Sequence, residues 1–169
     1  MGGRRRARSA PGGRCAGECR GDGAGEERLV RIDVAYEGGL HTRVTHGPSG
    51  STLETDAPVD NEGRGEAFSP TDLVAAALGS CVLTVMGIVA RRRGVGLEGA
   101  RARVVKHMAA APLRRIGRLE VDVELPPGLP ATEREVLERA AHTCPVKASL
   151  HPETEVVLRF SEAPVPAGA

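Results

Sequence analysis

The stretch SPTDLVAAALGSCVLTVMGIVARRRG, residues 69–94, decides the fold of this chain. Its start carries three helix signals, since Ser69 can cap a helix, Pro70 suits the first turn, and Asp72 completes a capping box. The run that follows is apolar on nearly all sides, which is typical of a helix in the centre of a domain. Three arginines and a glycine then supply the cations and the cap that end helices. The stretch therefore predicts a long, buried central helix with Cys81 in its middle.

Strand patterns flank this helix on both sides. Branched and alternating residues predict three strands before it, joined by glycine turns into a meander, and three strands after it. The predicted strands are residues 29–36, 40–45, 51–55, 102–108, 115–125 and 155–160. A second helix is predicted from Pro130 toward Cys144, and a short helix starts at Pro145. The predicted class is α+β, with antiparallel strands around the central helix.

The length and composition of the chain indicate one domain with a tail at each end. The chain has 169 residues, which fits one modest domain, predicted over residues 28–162. Its net charge is +1 and its acidic and basic residues are interspersed, so no surface for nucleic acid is expected outside the extreme N-terminus. Residues 1–27 are rich in glycine and arginine and predict a disordered extension, and residues 163–169 predict a frayed tail.

The sequence predicts neither export nor membrane insertion. Its arginine-rich start is not followed by the apolar segment of a signal peptide, and we expect no stretch to approach the roughly 18 apolar residues that span a membrane. We therefore expect a cytoplasmic protein. In that reducing compartment a cysteine pair is more often catalytic, redox-sensing or metal-binding than structural.

The four cysteines are the residues most open to chemistry. Cys15 and Cys19 form a CxxxC spacing, but no second pair of cysteine or histidine residues lies near enough in sequence to complete a tetrahedral metal site. Cys81 and Cys144 are far apart along the chain, so folding has to create any joint role. The alternative is that they are two unrelated thiols that act as small hydrophobic residues. No metal or cofactor site is predicted.

The surroundings of Cys81 and Cys144 predict thiols with different pKa values. Cys81 lies among apolar residues in mid-helix, where its pKa is expected to rise unless a cation comes from another segment. Asp72, nine positions earlier, points to the opposite side of the helix and is not expected to contact this thiol. Cys144 directly precedes Pro145, at the start of a short helix whose free N–H groups are expected to lower the thiol pKa.

The order of these motifs resembles the OsmC/Ohr family of osmotically inducible and organic hydroperoxide resistance proteins, in its OsmC-like branch. The resemblance covers about residues 29–160 and rests on two strings in the same order, SPTDLVAAALGSC with Cys81 and CPV with Cys144. It implies an α+β fold in which two chains intertwine around paired central helices, with the active sites at the dimer interface. A homodimer is therefore an expectation from the resemblance.

The resemblance also implies a thiol-dependent peroxidase in oxidative stress defence. Cys81 matches the cysteine that attacks an organic hydroperoxide or hydrogen peroxide and becomes a sulfenate. Cys144 matches the cysteine that resolves it as a disulfide, and a dithiol reductant restores both thiols. Typical hydroperoxide reductases add an arginine, and a glutamate ten positions before the helix cysteine, where this chain has Thr71. We match Arg43 to the arginine and Glu66 to the carboxylate.

Two other functions remain open from the sequence. One is a non-catalytic dimer whose apolar pocket binds a small hydrophobic molecule, or whose thiols sense oxidants. The other is an adaptor that binds nucleic acid or metal through the N-terminal extension. Joint, peroxide-dependent loss of two thiols favours the enzyme, whereas ligand-induced stabilisation with unaltered thiols favours the pocket.

Overall fold

The described part of the chain begins with a meander of three antiparallel strands. The structure, a computed structural model, describes residues 29–164, and the elements below belong to the unit Arg31–Ala169. The first three strands are β1 (Ile32–Gly38), β2 (His41–His46) and β3 (Thr52–Asp56). β1 pairs with β2 and β2 pairs with β3, both in antiparallel orientation. The meander predicted from the sequence is confirmed.

Two predicted terminal segments fall largely outside the described range. The predicted disordered extension, with Cys15 and Cys19, lies there, and so do residues 165–169 of the predicted tail, so both stay predictions. Ala163, the first residue of that tail, still belongs to the fold, because its N–H donates to the carbonyl oxygen of Leu125 at 2.8 Å.

A second three-stranded sheet carries the core. It consists of β4 (Arg101–Ala109), β5 (Arg115–Leu125) and β6 (Glu155–Glu162). β4 and β5 are antiparallel, whereas β6 runs parallel to β5 because a crossover with two helices returns the chain to the same end of the sheet. The crossover helices are α2 (Ala131–Ala141) and α3 (Pro145–Ala148). Alternate residues of β5 are fully buried, as its pattern predicts: Leu119, Val121, Val123 and Leu125.

The helix α1 (Pro70–Arg93) begins and ends at the predicted signals. The backbone N–H of Asp72 donates to the Ser69 hydroxyl at 3.2 Å, and the backbone N–H of Ser69 donates to the Asp72 carboxylate at 2.8 Å. This reciprocal pair is the capping box expected from the sequence. Gly94 ends the helix with a φ of 69°, a left-handed conformation that glycine adopts without strain.

Only part of the α1 surface is buried within residues 29–164. The buried positions pack against the second sheet and the crossover helices: Ala75, Leu78, Gly79, Val82, Met86 and Ala90. Another face is exposed although its residues are small or apolar: Ala76, Ala77, Ser80, Thr84 and Ile88. The sequence predicts a helix buried on nearly all sides, and the structure differs because this face has no cover among the described residues.

The length and hydropathy of α1 would also suffice for a membrane span. The helix has 24 residues, and an 18-residue window within it has a mean hydropathy of 2.3. The expectation that no stretch approaches a membrane span is therefore wrong by length and composition, since Leu73 to Ala90 contains no charged residue. Core helices of folded domains pass the same test. α1 packs against β4, β5 and α2, so many of its apolar side chains are buried inside the domain.

The first sheet leaves an apolar strand face uncovered. Every residue of β1 from Ile32 to Glu37 is exposed, including Ile32 at 58%, Val34 at 64% and Tyr36 at 67%. These three side chains alternate along the strand and therefore lie on one face of the sheet. Contiguous exposed apolar surface usually marks an interaction site. The face of β1 is thus a second apolar surface without cover in the described part of the chain.

Gly79 lets α1 approach β4 closely, and we expect Gly79→Ala to destabilise the domain. A β-carbon at this position would lie 2.8 Å from Cγ2 of Val104, closer than carbon atoms pack. Overpacking costs about 1–3 kcal/mol, which exceeds the roughly 1 kcal/mol that alanine gains over glycine in a helix. Urea denaturation should show a lower free energy of unfolding, and adding Val104→Ala should reduce the loss. An unchanged free energy of unfolding in Gly79→Ala would contradict this packing.

Candidate functional site

Folding brings the thiols of Cys81 and Cys144 together. Cys81 lies in the middle of α1, and Cys144 is the residue before α3, which packs against α1. Both are free thiols, and the two side chains are near enough for Cys81 to act on the pKa of Cys144. Cys144 is 1% exposed and belongs to the core, whereas Cys81 packs at the edge of the core and stays partly exposed. The arrangement places one accessible thiol in front of a buried one.

The pKa of Cys144 is raised, which corrects the expectation from the sequence. Burial is the largest cause, and the neighbouring Cys81 thiol acts in the same direction. The backbone N–H groups of Lys147 and Val146 at the start of α3 do lower the pKa, but they do not outweigh burial. The Cys144 thiol is therefore mostly protonated near neutral pH.

Arg43, the predicted catalytic arginine, lies in the first sheet and is paired there. Its Nε donates to Oε1 of Glu37 at 2.7 Å, and its Nη1 lies 3.0 Å from Oε1 of Glu54. The hydrogen bond from Arg43 holds the pKa of Glu37 below its usual value, so this pair is charged. Within residues 29–164 the ion pairs of Arg43 are with these two glutamates and do not involve the thiols. A role of Arg43 at Cys81 stays a prediction that needs a second chain.

Glu66, the predicted carboxylate, lies in the segment between β3 and α1. Its side chain is 66% exposed, and its Oε2 lies 4.0 Å from Nη1 of Arg64. Cys81 is eleven residues beyond Pro70, the first residue of α1, which is roughly 16 Å along the helix axis. Glu66 therefore does not reach Cys81 of its own chain. Its predicted role also needs a second chain.

A cavity of about 950 Å³ opens beside α1, between β4 and the segment that carries Glu66. Most of its lining is apolar, and its side chains with polar groups are Glu66, Asp72, Ser80 and Lys106. Cys81 does not line it and points away from Asp72 on the helix, so the cavity and the thiols lie on opposite sides of α1. Among residues 29–164 no three His, Cys, Asp or Glu side chains are placed to hold a metal ion.

Lys106 of β4 holds the start of α1, and the sequence interpretation missed it. Its Nζ donates to Oδ1 of Asp72 at 2.6 Å and to Oγ1 of Thr71 at 2.7 Å, and lies 3.4 Å from the Ser69 hydroxyl. The sequence pattern of β4 could have revealed Lys106. This lysine occupies one of the alternate, half-buried positions of the strand, and the other residues at those positions are apolar: Ala102, Val104 and Met108. A lysine at such a position has to find buried partners. Thr71, which stands where typical hydroperoxide reductases have a glutamate, is one of them.

Lys106→Met is expected to weaken the acid dependence of folding. Burial raises the pKa of Asp72, but hydrogen bonds from Lys106 and Ser69 outweigh burial and leave the pKa below its usual value. Such a carboxyl stabilises the fold above its unfolded pKa of about 4 and loses that contribution as the pH falls through its lower folded pKa. Urea denaturation at pH 7 and pH 3 should show a smaller loss of stability on acidification in Lys106→Met than in wild type. Equal losses would contradict the pairing of Lys106 with Asp72.

Comparison with known proteins identifies relatives of this fold. The OsmC-like protein family matches residues 63–159. A solved structure from Psychrobacter arcticus 273-4, named an osmotic stress induced and detoxification response protein, is 39% identical over 80% of this chain and 98% of its own, with a TM-score of 0.75. Organic hydroperoxide resistance protein OsmC from Legionella pneumophila is 24% identical over 80% of this chain and 98% of its own, with a TM-score of 0.63. A comparison with curated proteins found no match.

A third solved structure, an organic hydroperoxide resistance protein from Elizabethkingia anophelis, is 18% identical over 82% of this chain and 99% of its own, with a TM-score of 0.64. The two structures below 25% identity support the fold alone, and they confirm the α+β class. The family match includes both Cys81 and Cys144. The family match covers more than half of the chain. The protein from Psychrobacter arcticus aligns with this chain over nearly all of its own length. This chain is therefore a member of the OsmC-like protein family.

Proposed function

We propose that this chain is a thiol-dependent peroxidase that reduces organic hydroperoxides or hydrogen peroxide in oxidative stress defence. The observation that carries the proposal is the contact between Cys81, partly exposed on the central helix, and Cys144, buried behind it. Two thiols in contact can form a disulfide with little movement of the chain. The proposed class of substrate is the one in the names of the relatives from Legionella pneumophila and Elizabethkingia anophelis, which are organic hydroperoxide resistance proteins.

In the proposed cycle, the Cys81 thiolate attacks the terminal oxygen of the hydroperoxide ROOH. The O–O bond breaks, the alcohol ROH leaves after taking up a proton, and Cys81 becomes a sulfenic acid. The Cys144 sulfur then attacks the Cys81 sulfur, an S–S bond forms, and the departing hydroxide takes the Cys144 proton and leaves as water. A dithiol reductant reduces the disulfide and is itself oxidised.

The raised pKa of Cys144 supports this division of roles. A thiol that stays protonated competes poorly with Cys81 for peroxide, because the thiolate is the nucleophile. Burial also limits the access of peroxide to Cys144. After oxidation, the Cys81 sulfur is still adjacent to Cys144 and is electrophilic, so it condenses with this thiol and releases water. Cys144 is therefore suited to the second step rather than the first.

We also propose that the active form is an intertwined homodimer. The exposed apolar faces of α1 and β1 offer surface that a second copy can cover. If two copies of α1 pair in antiparallel orientation, the start of one helix lies near the middle of the other. Glu66, and with it Arg43 on the first sheet, can then serve Cys81 of the partner subunit. A dimer thus accounts both for the uncovered faces and for two predicted side chains that do not reach Cys81 in their own chain.

Turnover depends on a supply of reducing equivalents. A cytoplasm that keeps thiols reduced supplies a dithiol reductant, and we propose that compartment for the reaction. No cofactor, metal ion, nucleic acid or membrane takes part in the proposed cycle.

Steady-state consumption of peroxide tests the proposed function. The assay uses the chain with Cys15 and Cys19 replaced by serine, cumene hydroperoxide or hydrogen peroxide as substrate, and either dithiothreitol or glutathione as reductant. We expect consumption with dithiothreitol, slower consumption with the monothiol glutathione, and a preference for cumene hydroperoxide. A chain that consumes neither peroxide, while small apolar molecules raise its melting temperature, would instead support a binding dimer.

A further inference from the structure

The segment between β3 and α1 is organised around the carboxylate of Asp56. This residue is 2% exposed, and its Oδ2 accepts the backbone N–H of Glu66 at 3.1 Å. The backbone N–H groups of Ala57, Arg64 and Gly65 lie near the carboxylate and also lower its pKa. The hydrogen bond from Glu66 is the largest cause that holds the pKa of Asp56 below its usual value, although burial acts against it. The buried carboxylate of Asp56 therefore binds the N–H of Glu66 and lies near N–H groups from both ends of the segment.

The backbone of the segment is folded back tightly on the residue that follows Asp56. The N–H of Gly65 donates to the carbonyl oxygen of Ala57 at 3.3 Å, and a β-carbon at Gly63 would lie 1.7 Å from that oxygen. Gly65 itself has a φ of 69°, in the left-handed region that favours glycine. The N–H of Asp56 also donates to the carbonyl oxygen of Phe68 at 3.1 Å, so the segment closes on itself.

The anchored end of the segment is the part that lines the cavity beside α1. Glu66 and Phe68 are both lining residues, and the N–H that Asp56 binds is that of Glu66 itself. The Glu66 side chain is exposed and has a weak partner in Arg64 at 4.0 Å, so its position depends on its backbone rather than on side-chain contacts. The charged and titratable side chains that line the small cavity at Asp56 are His41, Arg64 and Glu66. Within residues 29–164 none of the ion pairs includes Asp56, whose bonds are to the backbone.

We propose that Asp56 is a positioning residue of the active site, because its buried carboxylate binds the backbone N–H of Glu66 and sets this residue in place for the reaction with peroxide. The proposal rests on the proposed function for its effect on activity. Asp56 itself does not touch the substrate or the thiols in this assignment. Its effect on the order of the segment can be measured whether or not the chain is a peroxidase.

Asp56→Asn tests the proposal. The amide group replaces one acceptor oxygen with a donor, so an N–H group of the side chain faces the neighbouring backbone N–H groups while the side chain keeps its size. Hydrogen exchange followed by mass spectrometry should show at least roughly tenfold faster exchange at residues 64–66. Asp60→Asn is the matched control, because Asp60 lies in the same segment but is exposed and pairs with Arg114. It should leave exchange at residues 64–66 unchanged.

Kinetics of the two chemical steps separate positioning from general damage. Asp56→Asn should slow formation of the Cys81 sulfenate by roughly tenfold and leave the later disulfide step at its wild-type rate, since Glu66 acts in the first step alone. In a double-mutant cycle, Asp56→Asn should have little further effect once Glu66 is replaced by glutamine. Unchanged exchange at residues 64–66 overturns the proposal whatever the activity, and so do additive effects of the two substitutions. A third outcome is a wild-type chain that does not react with peroxide, together with faster hydrogen exchange in Asp56→Asn. This outcome contradicts the proposed function and the catalytic part of this proposal. Asp56 then remains only the anchor of the segment.

Discussion

Serine in place of Cys81 is expected to stop peroxide reduction, with turnover lowered by roughly 10³-fold or more. Cys81 is the partly exposed thiol of the pair and forms the bond to the peroxide oxygen in the proposed cycle. A serine hydroxyl is not ionised near neutral pH and is a poor nucleophile without a base beside it. The substitution exchanges sulfur for oxygen at the edge of the core, so the fold should be retained. Peroxide consumption with dithiothreitol measures the loss, and circular dichroism checks the fold.

Serine in place of Cys144 should give a different result from serine in place of Cys81. The variant is expected to react with one equivalent of peroxide and to accumulate the Cys81 sulfenate, because no second thiol closes the disulfide. The chain with Cys15 and Cys19 replaced by serine is the matched control and should turn over like wild type. Turnover at the wild-type rate in Cys81→Ser would contradict the assignment of the attacking thiol.

Thr84→Arg is expected to convert a dimer of this protein into a monomer. Thr84 is exposed on the small, apolar face of α1, so the substitution leaves the core of a single chain intact. If two copies of this face pair, arginine side chains from both chains enter one apolar interface. An unpaired charge buried in this way costs several kcal/mol, and each 1.4 kcal/mol weakens association about tenfold. Sedimentation velocity at micromolar concentration should therefore show a monomer.

The dimer prediction also extends to activity. If Arg43 and Glu66 serve Cys81 of the partner subunit, the Thr84→Arg monomer should react slowly with peroxide although it stays folded. Thr132→Arg is the matched control, because Thr132 is an exposed residue of α2 and receives the same substitution. It should remain dimeric and active. A Thr84→Arg chain that is still a dimer, or a wild-type chain that is monomeric and active, would contradict the proposed interface.

The start of α1 and the strand β5 show which features this sequence specifies locally. The capping box lies within the four residues from Ser69 to Asp72, so their order alone determines its hydrogen bonds. In β5 the alternation from Leu119 to Leu125 sorts side chains between two faces, and the structure buries the apolar set. Both features depend on neighbours in sequence, which is why composition and spacing predict them.

The features that sequence did not reveal depend on contacts between distant segments. The prediction of a low pKa for Cys144 used the short helix beside it, but the core that surrounds the thiol raises the pKa more than the helix lowers it. Lys106 finds Asp72 across 34 positions of the chain, and the alternation of β4 does not name that partner. The faces of β1 and α1 are exposed within residues 29–164. A hydrophobic pattern indicates that such faces need cover, but it does not indicate what covers them.

The measurement that tests the central claim most directly is non-reducing peptide mapping after one equivalent of cumene hydroperoxide. It uses the chain with Cys15 and Cys19 replaced by serine, alone and with Cys144→Ser, and intact mass is recorded in parallel. The account predicts a disulfide between Cys81 and Cys144 in the first chain, and a Cys81 sulfenate, one oxygen heavier, in the second. Unreacted Cys81 and Cys144 in both chains would contradict it.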